Sequence, residues 1–182
     1  MIESHMRKNL NANYIKGLQD LISYLPDSID MIEIGCYAGE STELFLQSGK
    51  VKSICCIDPY IDCYDLTDGH SRHYPMQKVF EVFEKRILQV YDNVTLYQMT
   101  SEKAINKIKG EYDYVYSDGN HQYEATKSDI ELYFPLIKPK GIIAGHDYND
   151  AWDSVRRAVN EKFGPPHKLF KDDSWMIMKG NV

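Results

Sequence analysis

The chain has 182 residues, of which 43% are hydrophobic and 26% charged, and a formal net charge of −6. That length carries one domain, residues 1–182, with a core of its own, and the negative balance argues against nucleic acid as partner. No apolar run reaches membrane-spanning length and no secretory signal pattern opens the chain, so a cytoplasmic protein with no membrane partner is expected. The four cysteines, Cys36, Cys55, Cys56 and Cys63, lack a disulfide-framework spacing, as suits a reducing cytosol. Ser4-His5-Met6 has the look of a cloning remnant, although Met1-Ile2-Glu3 ahead of it is unusual for one. Residues 1 to about 8 therefore carry no expectation of fold.

In chain order, Tyr14, Ile15, Leu18, Leu21, Ile22 and Leu25 share one helical face. Pro26 closes that N-terminal helical segment, 1–28. Residues 29–34 read as a buried strand, followed by a turn through Gly35 and Gly39 and a helix to residue 47. A second strand, 51–57, closes on Asp58-Pro59. The polar segment 60–75 is too long for a plain connection and is a candidate lid. Met76, Val79, Phe80, Phe83, Ile87 and Val90 then mark one helix, 94–99 a third strand, and 101–109 another helix. The fourth strand, 112–117, ends at Asp118. Residues 122–138 read as a long helix with Ile130, Phe134 and Ile137 inward, stopped by Pro139-Lys140-Gly141. A fifth strand, 141–145, ends at His146-Asp147. Trp152, Val155, Val159 and Phe163 mark the last helix, and 168–170 with 175–178 form a hairpin. This alternation predicts an α/β fold: a doubly wound, mostly parallel seven-stranded sheet with helices on both faces and an antiparallel C-terminal hairpin.

Ligands of such sheets bind at the carboxyl ends of the strands. At the first, Met31 to Thr42 reads Met-Ile-Glu-Ile-Gly-Cys-Tyr-Ala-Gly-Glu-Ser-Thr. Its glycines let the backbone approach a ligand, and the first helical turn offers free N–H groups. The close Gly-x-Gly of a dinucleotide fingerprint is missing, which favours a different adenosine-bearing ligand; a tight turn without ligand is the other reading. Asp58 follows at about the distance where a carboxylate accepts both ribose hydroxyls. A solvated strand-end aspartate is the alternative.

Asp118, His146 and Asp147 come from two adjacent loops and could hold one divalent cation while leaving positions open for substrate. Oxygen-rich ligation suits magnesium or manganese, and the imidazole brings iron and zinc into range. Residues 111–153 hold nine acids and three lysines, which fits a cation site and also an acidic surface. His121 could take a proton from a bound hydroxyl at neutral pH, or hydrogen-bond the loop at the start of the next helix. His70, His73 and Cys63 lack a clear fourth ligand for zinc.

Glu33-Ile-Gly35-x-x-x-Gly39-x-Ser41-Thr42, Asp58-Pro59-Tyr60, Asp118-Gly-Asn-His121-x-Tyr123, Lys138-Pro-Lys-Gly141 and Gly145-His146-Asp147-Tyr148 together resemble class I S-adenosylmethionine-dependent methyltransferases. The nearest group is the small one that also resembles macrolide-sugar O-methyltransferases and cephalosporin-hydroxylase-like proteins. The resemblance runs from about residue 29 to residue 163. It implies a Rossmann-like methyltransferase fold with S-adenosylmethionine as cofactor. Glu33, Gly35 and Gly39 would surround the methionine end, with Tyr37 and Ser41 lining it. Asp58 would hold the ribose, and Thr100 or Ser101 would lie by the adenine. Asp118 would belong to the cofactor pocket and, with His121, to the catalytic pair. Asp118, His146 and Asp147 match the metal positions of metal-dependent relatives.

The chain departs from that pattern in places. His121 stands where catechol-type relatives carry a lysine, His146 replaces a carboxylate, and Lys140 replaces the glycine of a Pro-Gly-Gly turn. The implied activity is metal-assisted O-methylation of a small hydroxyl-bearing acceptor, a sugar or aromatic diol, with magnesium or manganese as the metal. Tyr60, Tyr148 and Trp152 would line the acceptor pocket, while Arg156 and Arg157 read as exposed helix charges. A homodimer stays open. Two other classes also remain: a non-catalytic S-adenosylmethionine-binding module, and an oxygenase with iron on His121, His146 and one aspartate.

Overall fold

The structure, a computed structural model, describes residues 12–180. The cloning-remnant reading of Ser4-His5-Met6 and the first part of the 1–28 segment lie outside the described residues, as does the side chain of Tyr14. The helix expected there, α1, spans Ala12–Ser23.

The parallel part of the sheet is β1 (Ile29–Ile34), β2 (Val51–Ile57), β3 (Val94–Tyr97), β4 (Tyr112–Ser117) and β5 (Ile137–Gly145). After the short β6 (Lys168–Leu169), β7 (Trp175–Met178) runs antiparallel to both β5 and β6. The order across the seven-stranded sheet is β3-β2-β1-β4-β5-β7-β6. It is the doubly wound, mostly parallel sheet with an antiparallel hairpin that the alternation predicts, because a parallel neighbour is reached only through a crossover. The order reverses between β1 and β4, and a crevice opens above their carboxyl ends.

Alternation along β1 divides the interior in two. Ile29 and Met31 join one core with Leu18, Leu21, Phe45, Phe83, Tyr114 and Tyr116. Ile32 and Ile34 join the other with Val115, Ile130, Tyr133, Val159 and Trp175. Phe45, on α2 (Glu40–Gln47), meets the Tyr114 and Tyr116 rings edge-on at 5.6 and 5.2 Å. Each such side chain contributes about 1.5–3 kcal/mol through burial, which is what ties the carboxyl ends of the central strands together.

Four expectations are corrected. The helix read through Val90 is α-helical only over Met76–Phe83; Glu84–Leu88 form a π turn, and Val90 is 62% exposed rather than inward. The wide turn adds a residue and brings Arg86 inside. There its guanidinium lies 3.1 Å from the Glu40 carboxylate and donates to the Ala38 carbonyl at 2.8 Å. The helix read through Lys138 stops at Tyr133, and Phe134–Leu136 form a 3₁₀ turn, because Pro135 has no N–H to continue it. Ile137 is buried as expected, but on a strand.

The third correction concerns β5, which begins four residues early. Lys140, at φ 66, absorbs a register shift opposite Tyr112 and Tyr114, and its N–H donates to the Lys179 carbonyl at 3.2 Å. The helix read over 101–109 is only Ser101–Ala104. Within 60–75 a five-residue helix forms at Gly69–His73. Labelled in chain order, Gly69–His73 is α3, Met76–Phe83 α4, Ser101–Ala104 α5, Tyr123–Tyr133 α6 and Asp153–Phe163 α7. Among the described residues no helix is long and apolar enough to cross a membrane.

Candidate active site

After β1 the chain turns through Gly35 (φ 83), Tyr37 (φ 43) and Gly39 (φ 83). A Cβ on Gly35 would lie 2.0 Å from the Asp118 carbonyl oxygen, so this turn and the end of β4 touch backbone to backbone. Asp58 holds the turn from the β2 side. Its Oδ2 accepts the N–H groups of Cys36 (3.0 Å) and Tyr37 (2.9 Å), and its Oδ1 that of Tyr60 (2.9 Å). Oδ1 is therefore the oxygen with more capacity left for a ligand hydroxyl.

Glu33 faces away from the opening and is fully buried, accepting from the hydroxyls of Ser41 (2.5 Å) and Thr42 (2.6 Å). Burial pushes its pKa up to about 7 against the pull of those hydroxyls. Glu33 and Ser41 thus pin the start of α2 to β1 from behind the turn. Gly39 packs under α4 and its π turn, where a Cβ would lie 2.7 Å from Ile87 Cγ1 and 3.1 Å from Phe83 Cδ2.

A cavity of about 470 Å³ lies above the crevice. Gly35, Tyr37, Asp58, Ser101, Asp118, His121, His146 and Asp147 all line it, so the structure brings these sequence-selected residues together. Glu33, Gly39, Ser41 and Thr100 are not on its wall. Of the expected acceptor aromatics only Trp152 lines it. Tyr60 is buried with its hydroxyl donating to the Tyr37 carbonyl (3.0 Å), and Tyr148 donates to Asn160 Oδ1 (2.7 Å). Arg156 pairs with Asp150 and Asp153, and Arg157 lies over the Tyr123 ring, 4.8 Å from its centroid.

His121 is held at both ring nitrogens. Nδ1 lies 2.7 Å from Asp65 Oδ2 and Nε2 lies 2.8 Å from Asp147 Oδ2. Burial opposes charge on the ring, but the hydrogen bonds to Asp147 and Asp65 outweigh it and push its pKa up to about 10. His146 Nδ1 lies 3.2 Å from Asp147 Oδ1; burial again opposes, and Asp147 prevails, raising His146 to about 9. Burial would raise Asp147, yet its bonds to His121 and His146 hold it well below the usual carboxylate range. Asp118 is pushed up to about 6 by burial, with His146 pulling the other way. A ring bonded to a carboxylate at each nitrogen carries both protons and has no lone pair to offer. In this geometry His121 is a clamped cation, and the role of base requires that one aspartate let go.

Asp118, His121 and Asp147 present ligand atoms within 4.8 Å of one another. The grouping takes His121 where the sequence pointed to His146. A second group, Glu33, Cys36 and Cys56, is buried behind the turn, and its carboxylate already serves Ser41 and Thr42. Among the described residues no metal-holding group forms around Cys63.

Three lining carboxylates, Asp65, Asp68 and Asp129, went unnoticed in the sequence. Asp65, in the candidate lid, accepts from the His121 N–H (2.8 Å) as well as its ring, and from Thr67. Asp129, on α6, is 4% exposed, and its Oδ1 has no hydrogen-bond partner among the described residues. Asp65 carries no sequence signal in so polar a loop. Asp129 had one: it lies one residue before the buried Ile130.

A protein-family model described as a methyltransferase domain matches residues 32–148. The chain belongs to that methyltransferase family. An uncharacterized protein of Acanthamoeba polyphaga mimivirus is 26% identical over 142 residues, covering 74% of this chain and 59% of the relative. The chain thus spans less than two thirds of that relative's length. Among solved structures, a TDP-rhamnose 3'-O-methyltransferase of calicheamicin biosynthesis superposes at a TM-score of 0.59 with 17% identity, covering 97% of this chain and 81% of the other. An O-methyltransferase from Bacillus cereus in complex with S-adenosylhomocysteine gives 0.60 with 14% identity, over 97% and 88%. An rRNA methylase from Streptococcus thermophilus gives 0.61 with 13% identity, over 90% and 94%. At these identities the likeness is one of fold, the class I S-adenosylmethionine-dependent methyltransferase fold.

Proposed function

We propose that the methyltransferase moves the methyl group of S-adenosylmethionine to a hydroxyl oxygen of a small acceptor, such as a sugar or diol. The observation that carries this reading is the single cavity in which the Gly35–Tyr37 turn and Asp58 meet Asp118, His121, Asp147 and Trp152. The turn and Asp58 suit the donor's nucleoside and methionine parts, and Ser101 lies towards its base. Asp118 adjoins both halves, its backbone against Gly35 and its carboxylate near His121 and Asp147. The sulfonium methyl is already electrophilic, so the protein has to align an acceptor oxygen and remove its proton. Alignment alone is worth roughly 7–11 kcal/mol of barrier. Trp152 offers an apolar face for a ring-shaped acceptor, and four unpaired cysteines suit a cytosolic setting.

Asp118, His146 and Asp147, with His121 beside them, would hold a divalent cation, magnesium or manganese; the carboxylate-rich donor set at Asp118, His121 and Asp147 fits one. Bound there, a cation lowers the pKa of a coordinated hydroxyl. Protons on the two histidines compete with it, so affinity is expected to rise with pH. His121 accepts the hydroxyl proton in this reading, with Nε2 parted from Asp147.

The clamp itself favours a second, metal-free reading. Asp147 is charge-balanced by His121 and His146 as it stands, and Asp118, with a pKa of about 6, is then the base. Calorimetry with S-adenosylhomocysteine, followed by methyl-transfer assays on diols and sugars with and without EDTA, tests both. No binding of the nucleoside sinks the donor reading, binding without turnover on any acceptor leaves a binding module, and turnover that survives EDTA selects the metal-free route.

A further inference from the structure

The candidate lid, residues 60–75, has little apolar surface to anchor it. Ile61 and Leu66 are 51% and 64% exposed, and among the described side chains of 61–75 only Asp65 is buried. A segment with few buried apolar contacts opens locally at low cost. The lid folds on itself instead. The Asp65 N–H donates to Ser71 Oγ (3.0 Å), the Cys63 N–H to the Ser71 carbonyl (3.1 Å), and Asp65 Oδ1 accepts from the Thr67 N–H (2.8 Å). Three hydrogen bonds join this unit to the loop after β4, and they end on two neighbouring residues. Asn120 Nδ2 donates to the Tyr64 carbonyl (3.0 Å), while Asp65 Oδ2 accepts the His121 N–H (2.8 Å) and lies against its Nδ1 (2.7 Å). One oxygen thus holds both the backbone and the ring of His121. The residue also has a seat that does not depend on the lid: Trp152 stacks on its ring, and Ser154 Oγ donates to its carbonyl (2.6 Å). When Nε2 parts from Asp147 to meet a ligand, the bond to Asp65 is the one that keeps the ring's direction, because the partner of one imidazole nitrogen decides what the other can do.

We propose that Asp65 is the latch that docks the lid, and that in docking it positions His121 so that Nε2 is the nitrogen offered to the cavity. Closing the lid and orienting the ring are then one event. Asp65 acts through His121 and is a positioning residue. The latch is built from this chain alone, so it stands or falls separately from the choice of donor and acceptor.

The test is amide hydrogen exchange, read by mass spectrometry on the full chain free of metal and ligand, together with NMR of the histidine ring protons. Asp65→Ala should speed exchange across residues 61–75 roughly tenfold or more and leave β1 and β4 as protected as in the wild type. His121→Ala should act in the same direction but more weakly, since its N–H remains. The double variant should fall short of the product of the two single effects. The wild type should show a protected His121 Nδ1 proton, identified by its absence in His121→Ala, and Asp65→Ala should lose it. That ring signal separates positioning from a merely structural role in the lid. Asp65→Ser, whose hydroxyl stops short of His121, serves if Asp65→Ala does not fold. Lid exchange unchanged by the loss of Asp65 overturns the latch. Single effects that multiply overturn its pairing with His121, and a ring proton that survives the loss of Asp65 overturns the positioning role.

Discussion

The ring of Trp152 lies nearly parallel to that of His121, with centroids 4.2 Å apart and planes 24° apart. An aromatic face attracts a cation, and the carboxylates of Asp65 and Asp147 at the two ring nitrogens make His121 one. In chelator-treated protein the His121 ring should titrate by NMR near pH 10, far above the ordinary 6.5. A folded pKa above the unfolded one means stability that is full below about 6.5 and lost as pH rises through about 10. His146, at about 9, adds to the same decline. Denaturation from pH 7 to 10.5 should therefore show a shallower loss in His121→Gln. A ring that titrates near 6.5 would show the clamp to be absent in solution.

Arg86 and Glu40 form a buried pair, 6% and 8% exposed at the side chain. Arg86→Met should cost about 3–5 kcal/mol by urea denaturation, since it strands a buried carboxylate. Adding Glu40→Leu should restore part of that loss. A cost below about 1 kcal/mol for the single change contradicts the burial assigned to the pair.

Gly35→Ala places a Cβ on the Asp118 carbonyl at a positive φ. Strain and overlap together should cost about 2–5 kcal/mol and abolish nucleoside binding. Gly49→Ala is the control: its φ is also positive, at 74, but nothing lies within 4 Å of the new Cβ, so only about 1 kcal/mol is expected. Equal costs for the two would remove the close approach from the explanation.

Glu33 keeps its proton to about pH 7 when folded, against an ordinary 4.5. Between those values the folded state holds a proton that the unfolded state has lost, so stability falls as pH rises through the window. Asp118 and Asp129, raised to about 6 and about 7, slope the same way. Glu33→Gln should remove roughly 1–3 kcal/mol of that fall, read from denaturation at pH 4.5, 6 and 7.5. An unchanged slope would mean that Glu33 stays ionised on the hydroxyls of Ser41 and Thr42.

The strand ends were legible because each apolar run stops at a polar residue: Asp58, Asp118 and His146-Asp147 all reach the cavity wall. What failed to show were residues whose surroundings come from elsewhere in the chain. Asp65 lies in a polar loop where one aspartate resembles the next, and its meaning comes from His121, 56 positions away. Arg86 reads as a solvated helix arginine until Glu40 and Ala38 close over it. The helix after Asp118 was read through Pro135 although the proline marks its end. The hydroxyls of Ser41 and Thr42 that meet Glu33 come from α2, a pairing that the acid before a glycine turn does not announce by itself.

The π turn at Glu84–Leu88 also governs what the sequence can tolerate. Loss of a single residue, such as Lys85, would tighten it to an ordinary α turn, and because five residues of π turn cover nearly the same rotation as four of α turn, the helix on either side would keep its phase. Only the bulged residues would change places, and the one with most at stake is Arg86, which the wide turn brings inside against Glu40 and Ala38. The flank that seats Phe83 beside Gly39 is insulated from such a change of length, while the buried ion pair is not.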